Sequence, residues 1–191
     1  ILALCVIGTA DARALTMAHY SADFYSRMSL LLFYLFLAIG VSFLCSILEA
    51  VLLSITPAHI AVLNEREVKA GRHLKRLKRD IDRPLSAILS LNTIAHTFGA
   101  AGVGAQALVV FGSAWVTVTS ALVTLAILIF SEIIPKTIGA TYWKQLSGFT
   151  AHTCRALIVL MWPLVALSKF ITRLLARGAR APSVSREEFR A

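Results

Sequence analysis

The sequence predicts an all-α membrane protein with three transmembrane helices plus cytoplasmic amphipathic and juxtamembrane helices. Three observations carry that expectation. Hydrophobic residues fill 58% of the 191 positions and charged ones only 15%, with a mean hydropathy of +0.76, well outside the balance of a water-soluble domain. Apolar runs recur at a length that crosses a hydrocarbon core of roughly 30 Å as a helix. The basic residues gather beside those runs and not among stacking aromatics, so the formal charge of +9 points to anionic lipid headgroups and away from nucleic acid.

Residues 1–28 form an N-terminal segment of uncertain character: an apolar run leads into ADARA at positions 10–14, similar to the small-residue end of a signal sequence. The alternative is a poorly ordered stretch outside the membrane, with Met28 as a natural start. The membrane domain is expected over residues 29–176. Its first span, residues 29–55, opens with some twenty residues without a charge. The second, residues 84–112, is rich in small residues, among them Gly99, Gly102 and Gly104, which let helices approach closely in lipid. The third, residues 114–134, follows after a turn too short to hold a domain, so the last two spans make a tight hairpin.

Between the first two spans, residues 56–83 carry eight Lys or Arg against four acids, which places this loop in the cytoplasm by the positive-inside rule. The N-terminus is then outside and the C-terminus cytoplasmic. Thr56-Pro57 is a helix start, and Ile60, Leu63, Val68, Leu74, Leu77 and Ile81 form an apolar stripe, predicting one amphipathic surface helix. Its basic part, residues 66–83, would meet anionic headgroups, or else a cytoplasmic domain. Residues 150–176 contain ALIVLMWPLVALS with basic flanks, too short for an easy span, and are expected to lie at the interface with Trp162 at headgroup level; a tilted fourth span is the alternative. Residues 177–191 read as a linker, with Ser185 and Glu188 in a capping-box spacing that opens a further helix. Cys5, Cys45 and Cys154 stand at no ligand spacing and read as small hydrophobes without disulfides.

Polar groups within spans are costly and mark partners or pathways. Ser42, Ser46 and Glu49 share one helical face by their spacing, as do Asn92, His96 and Gly99. Ser131 and Glu132 end the third apolar run. A lone serine in a span most often bonds its own backbone, and Lys136 stands in register to pair with Glu132. Two acids, an amide and several hydroxyls together favour a polar centre. Such oxygen donors suit hard cations such as Mg²⁺ or Na⁺ rather than Zn²⁺ or Cu⁺. Pro135 has no N–H and is expected to break the helix, releasing backbone oxygens near Ser131 that can line a cation pathway.

SEIIPKTIGA at residues 131–140 resembles the GEIIPKT signature of the CorC/CNNM family of magnesium transporters, in its DUF21 transmembrane domain. SFLCSILEAVLLS at 42–54 and LNTIAHTFGAAGVG at 91–104 resemble that domain's first- and second-span motifs. The resemblance, over residues 29–191, implies a homodimer in the plasma (inner) membrane, three spans per protomer, and cytoplasmic CBS domains that bind nucleotide. It implies export of Mg²⁺, with Co²⁺ and other divalent cations as further candidates, coupled to Na⁺ entry. The implied ligands are Ser42, Ser46, Asn92 and Glu132 with a backbone oxygen near Ser131; Glu49 and Lys136 match positions with a structural or gating role.

Two positions depart from the pattern. Ser131 replaces the usual Gly, and His96 stands where a second Asn is common. Neutral imidazole is a poor Mg²⁺ ligand, so His96 would act around the site or favour another metal. Two further functions stay open beside transport: a membrane Mg²⁺ sensor that binds without moving the ion, and an intramembrane metalloenzyme. No HExxH or Ser-His-Asp pattern supports the enzyme.

Overall fold

A computed structural model describes the backbone of residues 2–66 and 69–178 and the side chains of residues 22–66 and 69–174. Among the described residues the chain is helical throughout, with no strand. Helix α1 (Leu2–Ser54) is followed by two short helices, α2 (Pro57–Glu65) and α3 (Lys69–Arg79). Then come α4 (Asp82–Phe111) and α5 (Ser113–Ile127), a wide turn over Leu128–Ile133, and α6 (Ile134–Thr141). Helices α7 (Trp143–Leu160) and α8 (Trp162–Gly178) complete the order.

Among the described residues three stretches are long and apolar enough to cross a membrane: Ala22–Ser54, Asp82–Phe111 and Ser113–Thr141. They match the three expected spans, with two differences. Helix α1 reaches back to Leu2, so the segment of uncertain character has helical backbone from there on; the side chains before Ala22, including those of ADARA and Cys5, lie outside the described residues. The third span runs past position 134 to Thr141. Pro135 does not break it. The helix widens to i→i+5 bonding over Leu128–Ile133, where the Ile134 N–H reaches Ile129 O, and Pro135 falls in the first turn of α6, where a missing N–H is tolerated.

Gly112 alone separates α4 from α5. Its φ of 75° is a left-handed conformation that glycine reaches without a steric penalty, and it makes the expected tight hairpin. The exposed apolar side chains of this hairpin, such as Trp115, Leu122 and Phe130, suit lipid, which is as apolar as they are.

The densest core lies at the end of the spans where α1 finishes. Leu48, Val51 and Leu52 of α1 and Ile55 just after it are buried together with Leu74 of α3, Ile88 of α4 and Cys154 of α7. Cys45 and Cys154 are free thiols in this core. The amphipathic segment is two helices instead of one. Thr56 caps α2, its Oγ1 accepting from the His59 N–H at 3.3 Å, with Pro57 in the first turn. Helix α2 ends at Arg66, and α3 packs back on it, Gly71 lying so close that a Cβ would stand 2.9 Å from Asn64 Oδ1. Folding back buries Ile60, Leu74 and Leu77 while Leu63 and Ile81 pack on them, which a straight helix beneath α1 could not do; Val68 lies outside the described residues. Lys78 Nζ donates to Leu53 O at 3.3 Å and so caps the end of α1. Thr56→Ala is expected to cost about 1 kcal/mol, read from unfolding in detergent; an unchanged midpoint would mean that the cap adds nothing.

The expected single interfacial helix over 150–176 is likewise two helices. It starts earlier, at Trp143, and turns by 83° between Leu160 and Trp162. Pro163 is the cause: it is excluded from a helix interior but accepted in the first turn of α8. Together α7 and α8 reach the apolar length of a span only across that bend, which suits interfacial helices or a re-entrant loop better than a straight crossing. Ser86 Oγ and Ser168 Oγ, 3.0 Å apart, fasten α8 to the start of α4, and the Lys169–Asp80 ion pair fastens it to the turn before α4. The linker at 179–191, with its capping-box residues, lies outside the described residues.

Candidate cation site

The sequence stripe Ser42, Ser46, Glu49 lies in the seam that α1 makes with α4 on one side and with the third span on the other. The crossing with α4 is antiparallel and close. Ser42 Oγ is 2.7 Å from His96 Nε2; a Cβ on Gly99 would overlap the Ala38 methyl, and one on Gly102 would stand 2.5 Å from the Tyr34 ring. Positions rise along α1 as they fall along α4. One turn beyond the Ser42–His96 pair, this register sets Ser46 opposite Asn92.

Those two residues share an unusual property. Ser46 Oγ and Asn92 Oδ1 are buried polar atoms without a hydrogen-bond partner. Leaving such an atom unpaired costs about 1–3 kcal/mol, and two of them on facing helices are a cost that a bound cation would offset.

Helix α6 lies along α1 in the same direction. A Cβ on Gly139 would meet Ala50 Cβ and Ile47 O, both at 2.9 Å, and Lys136 Nζ is 3.4 Å from Glu49 Oε2. Lys136 therefore pairs across to α1 and not, as helical spacing allowed, with Glu132. One turn back from Lys136 stand Ser131 and Glu132, in the wide turn that also packs on α1. Glu132 is half-buried and makes no ion pair or hydrogen bond among the described residues. Its carboxylate is the uncommitted charge of the seam. The Glu49–Lys136 pair, with side chains 22% and 47% exposed, is screened by solvent. A double-mutant cycle with Glu49→Gln and Lys136→Met is expected to give about 0.2–1 kcal/mol of coupling; no coupling would make the contact incidental.

Ser131 is buried, but its hydroxyl donates to Ile127 O at 2.7 Å, inside the wide turn. What Ser131 can offer a cation directly is its carbonyl: Pro135 has no N–H to give to the oxygens four and five residues before it, those of Ser131 and Phe130. His96 takes a clear position as well. It bonds Ser42, and with Nε2 unprotonated the Ser42 hydroxyl donates to it, leaving the oxygen's lone pairs open. In that tautomer His96 orients a ligand and need not be one. Gly99 contributes by letting α1 and α4 touch.

Among the described residues no group of three His, Cys, Asp or Glu side chains converges as a metal cluster. The donors that the helices around this seam carry are hydroxyl, amide and backbone oxygens with carboxylates, a set suited to hard cations and not to soft ones. Sequence spacing did not reveal the Glu49–Lys136 pair, the orphaned Gln106 Oε1 in α4, or the orphaned Thr150 Oγ1 in α7. Of these only Gln106, an amide inside a span, carried a signal that the sequence could have given.

Comparison with known proteins agrees with this architecture. The family model described as the cyclin M transmembrane N-terminal domain matches residues 32–191. The chain is 32% identical over 156 residues to the UPF0053 protein sll1254 of Synechocystis, covering 82% of this chain and 45% of that protein. It is 30% identical over 129 residues to the UPF0053 inner membrane protein YfjD of Escherichia coli, covering 64% and 30%. A DUF21 domain-containing chloroplastic protein of Arabidopsis is 26% identical, with 80% of this chain and 24% of that protein covered. The chain thus spans less than half the length of these relatives. With three spans, a small-residue crossing and a match over most of its length, the chain belongs to the cyclin M transmembrane domain family.

Proposed function

We propose that this domain is the ion-conducting part of a secondary transporter that exports Mg²⁺ across the cytoplasmic membrane, coupled to Na⁺ entry. The observation that carries it is the pair of orphaned buried oxygens, Ser46 Oγ and Asn92 Oδ1, beside the uncommitted carboxylate of Glu132. The cation would be held by Ser42, Ser46, Asn92 and Glu132 and by a backbone oxygen near Ser131. The wide turn before Pro135 supports the same reading, since irregular helix at membrane depth persists where it lines a cavity or contacts ions. The oxygens favour Mg²⁺, and His96 beside them leaves room for Co²⁺.

The remaining parts of the proposal rest on the family resemblance and on surface character. The apolar groove between α1 and α4, lined by Leu37, Val41, Ile94 and Phe98, suits the homodimer that the family resemblance implies. The N-terminus would lie outside and the C-terminus in the cytoplasm, where a CBS pair would report nucleotide state. The test is Mg²⁺ efflux from loaded vesicles with and without an inward Na⁺ gradient, alongside calorimetry with Mg²⁺, Mn²⁺, Co²⁺ and Na⁺. Efflux that rises with the gradient is expected. Binding without efflux would assign the site to a sensor, and neither would remove the cation reading altogether.

A further inference from the structure

Two basic clefts lie side by side at the end of the spans where α1 finishes, and Arg83 belongs to both. The first, of about 220 Å³, is lined by His73 and Arg76 of α3, Arg83 of α4 and Arg155 of α7. The second, of about 270 Å³, has Arg83 facing Lys169 and Arg173 of α8, with Trp162 and Phe170 as its apolar wall. No carboxylate lines either cleft. The nearby Asp80 is engaged by Lys169, and Arg76, Arg83 and Arg155 make no salt bridge among the described residues.

Such a gathering of exposed guanidinium groups, with no carboxylate among them, is suited to receive an anion. Burial, and then the charges of Arg155, His152, Arg76 and Arg72, hold His73 below the usual imidazole range, as expected in a positive field. The surroundings are apolar: Val159, Leu160, Trp162, Phe170 and Leu174 of α7 and α8 are all well exposed. A phosphate with hydrocarbon attached matches both halves, and the 83° bend between α7 and α8 brings both halves to one place.

We propose that the two clefts joined by Arg83 bind the headgroup of an anionic phospholipid, with its phosphate among Arg76, Arg83 and Arg155 and its acyl chains along the exposed faces of α7 and α8. This goes beyond a diffuse attraction of the basic helix for the bilayer. It names a stoichiometric site, and the residues that make it come from four helices.

The test uses the chain reconstituted in vesicles that contain a minor fraction of brominated phosphatidylglycerol, or of brominated phosphatidylcholine, and follows tryptophan quenching. The anionic lipid is expected to quench severalfold more than its share of the bilayer predicts. That excess should vanish in Trp162→Phe, which identifies the reporter, and in Arg83→Gln with Arg155→Gln. It should survive in Lys75→Gln with Lys144→Gln, which removes as much charge elsewhere, and in Arg83→Lys with Arg155→Lys, with unchanged helicity and elution as the check on folding. Equal quenching by the two lipids, or equal loss in both glutamine pairs, would overturn the proposal. Abolition of the excess by free glycerol phosphate would also overturn it, because the site would then take a soluble phosphate and not a lipid.

Discussion

Vesicles carrying Glu132→Gln are expected to lose Mg²⁺ flux by about ten- to a hundredfold, while the protein keeps its helicity. The physical reason is that Glu132 is the one carboxylate of the seam without a partner among the described residues, whereas Glu49 is engaged by Lys136. Interactions with a charged group are worth about 1.5–3 kcal/mol, and each 1.4 kcal/mol is about tenfold. The glutamine keeps the shape and one oxygen but removes the charge. Asn92→Ala should lower flux as well, and here stability gives a second reading: removing an orphaned amide removes an unpaid desolvation cost, so the empty protein should unfold no more easily than the parent. Glu49→Gln, one turn away, is the contrasting substitution and should retain most of the flux. Full flux in Glu132→Gln, or equal loss in Glu49→Gln, would sink the assignment of the site.

The second large effect concerns the crossing that aligns the site. Gly99→Val is expected to destabilise the protein by about 1–3 kcal/mol or more, because even the first carbon of a side chain would overlap the Ala38 methyl. Separating α1 from α4 there would also pull Ser42 from His96 and shift the rest of the seam, so flux should fall with stability. Gly99→Ala combined with Ala38→Gly restores the space and should recover much of the loss; the non-additivity measures the contact directly. Gly104→Ala is the control on the same helix. A Cβ at Gly104 meets nothing within 4 Å, and alanine there should be neutral or stabilising by about 0.5–1 kcal/mol, the ordinary difference between the two residues in a helix. Equal behaviour of positions 99 and 104 would mean that the glycines serve only helix flexibility. Thermal unfolding in detergent and flux in vesicles distinguish these outcomes.

Much of this molecule is written locally. Hydrophobic runs of spanning length need no partner to be recognised, because lipid selects them by length and composition alone. The same holds for Gly112, whose turn requires a positive φ, and for Thr56-Pro57, whose cap involves only residues three apart. The polar stripe of α1 and the motif around Glu132 were legible for a related reason: oxygen donors in a span stand out against an apolar background.

Other features depend on what lies opposite. Residues 56–83 carry one apolar stripe, yet they form α2 and α3, because a hairpin buries more of that stripe under α1 than a straight helix can. Pro135 removes a hydrogen bond, but whether the helix breaks or widens depends on packing against α1, and it widens. Lys136 stood equally well placed for Glu132 by spacing; only the parallel course of α6 along α1 gives it to Glu49 and leaves Glu132 uncommitted. By itself, then, the sequence determined the spans, their order and the donors they carry. Tertiary structure alone decided which donors pair with each other and which are left without a partner among the described residues, since a local pattern gives the chemistry of a residue and only packing gives its partner.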